Sequence, residues 1–539
     1  MTIGALAKSI SKKERRIVAA LAALAALLTS IPPLSALMVA SAGGQTWSGT
    51  QFLSPGDIGA YLSYIEQAKQ GHWLFHNYFT TEALAPVLNI FWLAVGLAAR
   101  FFQLDALLAY HLARLVLIPI FAAAAYAFIS YIVPNVRHRL PAFAIFFFGS
   151  GIGEYASPFF FGSRFLGTGY EWPIDLWVAE SNAFLTMLYS PHFIASWILF
   201  LAGFLLLLMA FENGRSGYAL AAGLSALALF EFHPFHAPTF YAVPIAFGVL
   251  RTMWGERVRN LIRPYAIFTA VSAPAVLYHY YLTHYDENAG RLLLNNLTIT
   301  PSPIHVLLGF GLVAVFAPAG YYLMRRSRGS NFGWDFLAAW SLTQMLLAYS
   351  PLTFQRRLLE GLQFPLTLLA VPAMIALAHR VESRLGLHKI IIAAFACLLL
   401  LPSTASALVN GVDVLKEPQP TFYFDRDTRA AFAWLKRYTP ADAVVLALPD
   451  SGYEIAGWAG RQVYSGHWAM TIDAGRKYGE LRRFFGSDGT SRRALIDASG
   501  ASYIFRGPRE REAGGDPSAD NGLHKEFESG QIIIYRVIK

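Results

Sequence analysis

Charge is what this sequence has least of. Asp, Glu, Lys and Arg make up 14% of its 539 residues, where a soluble domain carries roughly 25%. Cysteine is reduced to one residue, Cys397, inside an apolar run, so a disulfide framework within one chain is excluded. There is no solenoid-type repeat and no low-complexity tract. No glycine-rich phosphate loop opens a helix, which argues against a nucleotide-binding crevice. What is present is apolar sequence: 55% hydrophobic residues and a mean hydropathy of +0.41. It comes in blocks near the ~20 residues that span a bilayer. The chain therefore reads as a polytopic α-helical membrane protein. Its net charge of +9 gathers in short loops between the blocks. That is the positive-inside pattern, and it points away from a nucleic-acid partner.

Candidate spans begin near residues 17, 84, 106, 140, 184, 218, 236, 264, 304, 334, 359 and 389. The first follows "SKKERR" and is too long for a signal peptide, so it reads as a signal anchor with a cytoplasmic amino end. The basic loops at 251–263, 325–328 and 379–389 agree by parity on a cytoplasmic side. They put 286–303, 350–357 and everything after about Val409 outside. The early segments leave a choice. Either Ala142 to Gly151 dips without crossing, or 84–134 cross three times, and "VRHR" at 136–139 favours the second. The expectation is about 11–13 crossings.

The composition changes after Val409. Residues 1–409 are expected to form the transmembrane domain and 410–539 an extracytoplasmic, soluble α/β domain. Residues 427–438 and 473–485 have helical spacing, and 443–448, 501–505 and 531–538 read as strands. Residues 510–522 are rich in breakers and read as a loop. Asp450 and His467 are expected to be exposed near turns, in a domain that docks an acceptor or caps the bundle.

Ionisable groups at membrane depth are costly and mark sites. Four sets face outward on this topology. Asp57 follows the first span. Glu171, Asp175, Glu180 and His192 lie between 170 and 193. Glu231, His233 and His236 lie in "FEFHPFHAP", and Arg356, Arg357 and Glu360 in "PLTFQRRLLEG". Each also has a plain structural reading. Asp57 precedes a plausible amphipathic helix and could be its N-cap. Two histidines three apart around a proline are a weak metal signal. Trp73, Trp172, Trp177 and Trp334 are better explained as an interfacial belt than as a sugar platform. Arg356 and Arg357 run against the positive-inside trend, and arginine grips phosphate oxygens bidentately.

The arrangement resembles the GT-C superfamily of membrane glycosyltransferases, which use lipid-phosphate-linked sugars, and within it the bacterial enzymes related to protein mannosyltransferases and the aminoarabinose transferase of lipid A. The residues that carry the resemblance are Asp57, the helix expected over 58–70, and "GHWLFHNYF". It implies a GT-C-like bundle and an acidic base in the first outer loop. It also implies a polyprenyl-phosphate-linked sugar donor and a glycan, lipid or protein acceptor. Asp57 would be the base, and Arg356, Arg357, His233 and His236 would hold the donor phosphate. Glu180, His192 and Trp73 would bind sugar or acceptor. One base and an in-line attack would invert the anomeric centre. Many relatives pair two acids where this chain has Asp57-Ile58, so the need for a divalent metal stays open. The competing classes are a lipid-linked glycan polymerase or ligase, a transporter or flippase of envelope precursors, and a non-catalytic scaffold.

Overall fold

A computed structural model describes residues 1–53, 55–160, 172–327, 331–486, 490–517 and 522–538. Glu171, Arg328 and part of the expected 510–522 loop lie outside them. The chain divides into two compact units. One comprises 1–31, 112–279 and 298–411, and the other 32–111, 280–297 and 412–539.

Among the described residues, six helices are long and apolar enough to cross a bilayer: Lys12–Ala42, Ala106–Ile132, Pro191–Asn213, Arg259–Tyr285, Pro303–Arg326 and Gln355–Leu385. Lys389–Leu400 and Pro402–Lys416 pass the same test only as a pair, a broken span or a re-entrant loop, bent by 53° where Pro402 cannot continue the ladder. The expectation of about 11–13 crossings takes in helices below that length as well, such as Ser216–Phe232 and Ala237–Met253. The span expected near residue 184 begins instead at Pro191, after the separate short helix Ala183–Tyr189. Residues 84–134 hold two helices, not three, and Ile90–Phe101 is only ~18 Å long at 1.5 Å per residue.

The first unit has two chemically distinct ends. At one end Glu14 accepts from Tyr126 (2.7 Å) and pairs with Arg139 (3.5 Å). The terminal amine lies 3.3 Å from Glu212 there. Buried Asp335 binds Arg251 at 2.9 Å and Arg325 at 3.1 Å, so two of the basic loops share one acid. Phe211 and Phe247 pack together beside these groups. The helices Pro191–Asn213 and Ala237–Met253 run from this end to the other, which carries His192 and His236. Between the two ends the core is aromatic, with Phe200, Trp340, Phe128 and Phe364 stacked or tilted on one another. Trp334 belongs to this core at 7% exposure and not to an interfacial belt.

In the second unit the helix Ile58–Gln70 has the expected bounds. Ile58, Leu62 and Ile65 recur on one face and bury against Trp92, Ala106 and Tyr110. Gly71 ends it in the left-handed conformation, φ 101°. Strands β1 (Thr46–Trp47) and β2 (Tyr423–Phe424) pair antiparallel. A five-stranded mixed sheet follows. Its strands are β3 (Val444–Leu446), β4 (Gln462–Val463), β5 (Tyr503–Arg506), β6 (Leu523–Ser529) and β7 (Ile532–Val537), in the order β4-β3-β5-β7-β6. β3 is parallel to β4 and β5, and β7 is antiparallel to β5 and β6. The helices Arg426–Tyr438 and Ala474–Gly486 lie where the periodicity put them. Residues 510–512, the start of the expected loop, belong instead to the short helix Pro508–Glu512.

Candidate functional site

Proline builds the centre of the first unit's polar end. The helix Ser216–Phe232 stops at His233 (φ −137°, ψ 67°) because the residue before a proline is pushed out of the helical region. Pro234–His236 forms a single 3-10 turn. Its three-residue repeat puts positions i and i+3 on the same side, so His233 and His236 face one way. His233 Nδ1 lies 3.4 Å from His236 Nε2.

A second 3-10 turn, Gln355–Leu359, meets the first and carries the arginines. Its backbone is clamped by Gln344, whose Nε2 donates to Leu358 O at 2.7 Å and to Glu360 O. Trp340 Nε1 in turn donates to Gln344 Oε1 at 2.6 Å. Gly361 reverses the chain at φ 98°, and a Cβ there would meet the Phe200 ring at 2.8 Å. These constraints aim Glu360, 1% exposed, at the histidines. Its Oε2 is 3.2 Å from His236 Nε2 and 3.7 Å from His233 Nδ1. The Arg357 guanidinium lies over the Phe235 ring at 4.6 Å, and that of Arg356 over Trp177 at 4.7 Å. Trp177 is therefore a support for an arginine and not a belt residue.

His192 joins the cluster through its ring, 5.2 Å from that of His233, with Nδ1 2.7 Å from Ser190 Oγ. Glu180 sits buried in the turn Ala179–Ser181, which packs against Gln355–Leu359. Ser196 Oγ is 3.1 Å from His236 Nε2. Asp175 is buried nearby in sequence and accepts from Gly153 N at 3.1 Å. Burial pushes its carboxyl up to about 7, against weaker lowering by hydrogen bonds from Ser403 and the Gly153 amide.

Asp57 and Trp73 belong to the second unit. Asp57 stands at the N-cap position of Ile58–Gln70, but its side chain makes no cap hydrogen bond. Its Oδ1 lies 3.3 Å from Nε2 of His467. His467 Nδ1 accepts from the Ala469 amide at 3.0 Å, so Nε2 carries the proton and donates to Asp57. His467 was expected to be exposed. It is 6% exposed and holds the very acid the first loop singled out. The other acids of that loop are also paired: Glu66 with Lys69 and Lys436, and Glu82 with Lys477. A cavity of about 590 Å³ opens beside Gly56 and His467, lined by Tyr453, Glu454, Trp458, Trp468 and Arg509 among others. Trp73, 66% exposed, does not line it.

Sequence reasoning missed His467 as the partner of Asp57, and also the Ser196 and Gln344 supports. Only the Phe235 support had a local signal, an aromatic between two histidines.

No family profile and no curated protein matches the sequence. Solved structures do. The chain is similar to the oligosaccharyltransferase AglB of Archaeoglobus fulgidus in complex with an inhibitory peptide and a dolichol-phosphate. The identity is 12%, the TM-score 0.53, and the match covers 89% of this chain and 69% of that one. The apo form of the Archaeoglobus fulgidus oligosaccharyltransferase matches at 13% identity and TM-score 0.53, covering 92% and 70%. The mycobacterial arabinofuranosyltransferase AftD matches at 14% and 0.51, covering 97% of this chain but 42% of that one. At these identities the likeness is one of fold. The chain is a polytopic helical membrane protein with the GT-C fold and a carboxyl-terminal sheet domain.

Proposed function

We propose that this protein is an integral membrane glycosyltransferase. It moves a sugar from a polyprenyl-phosphate donor to an acceptor hydroxyl, on the extracytoplasmic side and with inversion. The observation that carries this reading is the gathering of Arg356, Arg357, His192, His233, His236 and Glu180 at the end of the first unit that lies away from the basic loops. If the basic loops are cytoplasmic by the positive-inside rule, that end faces outward.

In the reaction the acceptor oxygen attacks the anomeric carbon, and the bond from that carbon to the phosphate oxygen breaks. The electron pair stays on the phosphate. The acceptor proton passes to the Asp57 carboxylate. Arg356 and Arg357 neutralise charge building on the leaving phosphate. His467 donates to the Asp57 carboxylate and orients it. The cavity beside it combines aromatic faces with carboxylates. This lining suits an acceptor with apolar ring faces and hydroxyl edges.

The test uses the full chain in detergent with a polyprenyl monophosphate, the leaving group of the reaction. Saturable binding that Arg356→Ala weakens supports the reading. Binding that is absent, or indifferent to both arginines, refutes it.

A further inference from the structure

The cluster of His233, His236 and Glu360 has a feature that phosphate binding by histidines does not explain. Glu360 is 1% exposed, and among the described residues neither of its carboxylate oxygens makes a hydrogen bond. His236, also 1% exposed, has an Nδ1 without a hydrogen bond among them. A buried carboxylate with incomplete hydrogen bonding is strongly destabilising unless a cation compensates it.

The three facing atoms form a triangle with edges of 3.2, 3.4 and 3.7 Å. Four ligands at ~2.1 Å in a tetrahedron are separated by about 3.4 Å, whereas cis ligands in an octahedron of the same size are about 3.0 Å apart. The observed edges scatter about the tetrahedral value. Two imidazoles and one carboxylate are a zinc-type ligand set, and three protein ligands leave a fourth position. Magnesium and calcium prefer all-oxygen sites. The scaffold is stiff, since Gln344 clamps the turn Gln355–Leu359 and the Phe200 ring packs edge-on to His236 with centroids 5.2 Å apart.

We propose that His233 Nδ1, His236 Nε2 and Glu360 Oε2 bind one zinc-class divalent cation, whose fourth position takes a phosphate oxygen of the polyprenyl phosphate. The cation site stands on the geometry alone. The phosphate ligand rests on the function proposed above. On this assignment the histidines act on the donor through the cation, and the cation shares the phosphate charge with Arg357.

The test takes the purified full chain in detergent, strips it with a chelator and reloads it with Zn2+ or Co2+ alone. One equivalent of metal per chain is expected, with the visible d–d bands of four-coordinate Co2+. Glu360→Gln keeps the side-chain shape. It and His236→Ala should each weaken metal binding by at least about tenfold, while Arg356→Ala should leave metal content unchanged. Polyprenyl monophosphate should bind the loaded chain more tightly than the stripped one. Substoichiometric metal in the wild type, or equal metal in wild type and Glu360→Gln, overturns the cation site and leaves the transferase reading standing. Stoichiometric metal with no change in phosphate affinity overturns the phosphate ligand only. A chain that binds metal but no polyprenyl phosphate refutes the transferase reading and not the metal site.

Discussion

Asp57 and Arg356 are the residues whose chemistry is most specific. Asp57→Asn preserves size and capping ability but removes basicity. We expect transfer to fall by about 10²–10⁴, with polyprenyl phosphate affinity unchanged. Equal rates in a transfer assay would reduce Asp57 to an acid at a helix start that happens to meet His467. Arg356→Ala should weaken polyprenyl phosphate binding by about ten- to a hundredfold, the worth of one charge-assisted hydrogen bond. Arg356→Lys should restore only part, because an ammonium lacks the planar fork. Titration of the three variants against the lipid settles the ranking, and full rescue by lysine would show that only charge matters. Both residues could be picked out in the sequence, because each contradicts its surroundings: an acid beside an apolar span, and arginines on the side that positive charge avoids. Glu360 was visible but had no assigned role. Its use depends on a turn 124 positions after His236 (360 − 236), and no local pattern reports that.

Among elements, the helix Ile58–Gln70 and the segment Ile455–Ala459 approach each other through glycines. A Cβ on Gly457 would sit 2.8 Å from the Gly59 Cα, while one on Gly59 would meet the Tyr453 ring at 2.8 Å. A ring can shift and backbone cannot. Gly457→Ala should therefore destabilise more than Gly59→Ala, within the ~1–3 kcal/mol of an overpacked contact. Thermal unfolding in detergent gives the order, and a reversed order would mean the backbones separate easily. The turn holding Asp175 carries a pH signature. Its carboxyl titrates near 7 in the fold against an ordinary 3.8. Between those values the native chain holds a proton that the unfolded chain has released, so stability falls as pH rises through that window. Asp175→Asn should flatten the melting temperature against pH from about 4 to 7, and a slope like that of the wild type would contradict the buried protonated acid. Elements with strong periodicity were readable, as Ile58–Gln70 and β7 show. β6 was not, because its sequence "LHKEFES" is charged and largely exposed, as suits a sheet edge. β4 has only two residues, but the order strand, turn, helix, strand that residues 442–471 suggest includes it.

For the whole molecule, sidedness is the prediction on which the others depend. Arg251 and Arg325 share Asp335 at one end of the first unit, while Arg356 and Arg357 stand at the other. By loop-charge parity we expect that first end to be cytoplasmic and, from the sequence, residues 410–539 to be extracytoplasmic. A reporter active only in the cytoplasm, fused after Lys539, should be silent, and the same reporter placed in the 251–263 loop should be active. The opposite pattern would turn every proposed site residue to the wrong face.

The sequence by itself determined the class of solvent, the helical bundle, the small α/β domain and the outlying polar residues. Those follow from composition, period and local charge, which act over a few turns of chain. Tertiary structure alone decided which of those polar residues meet. It brought His467 to Asp57 across 410 positions and Glu360 to a histidine pair. It also moved Trp177 and Trp334 from an expected belt into a cation support and a core. The reason is physical: a side chain's partner is set by how buried surfaces pack, and packing joins residues that no local pattern relates.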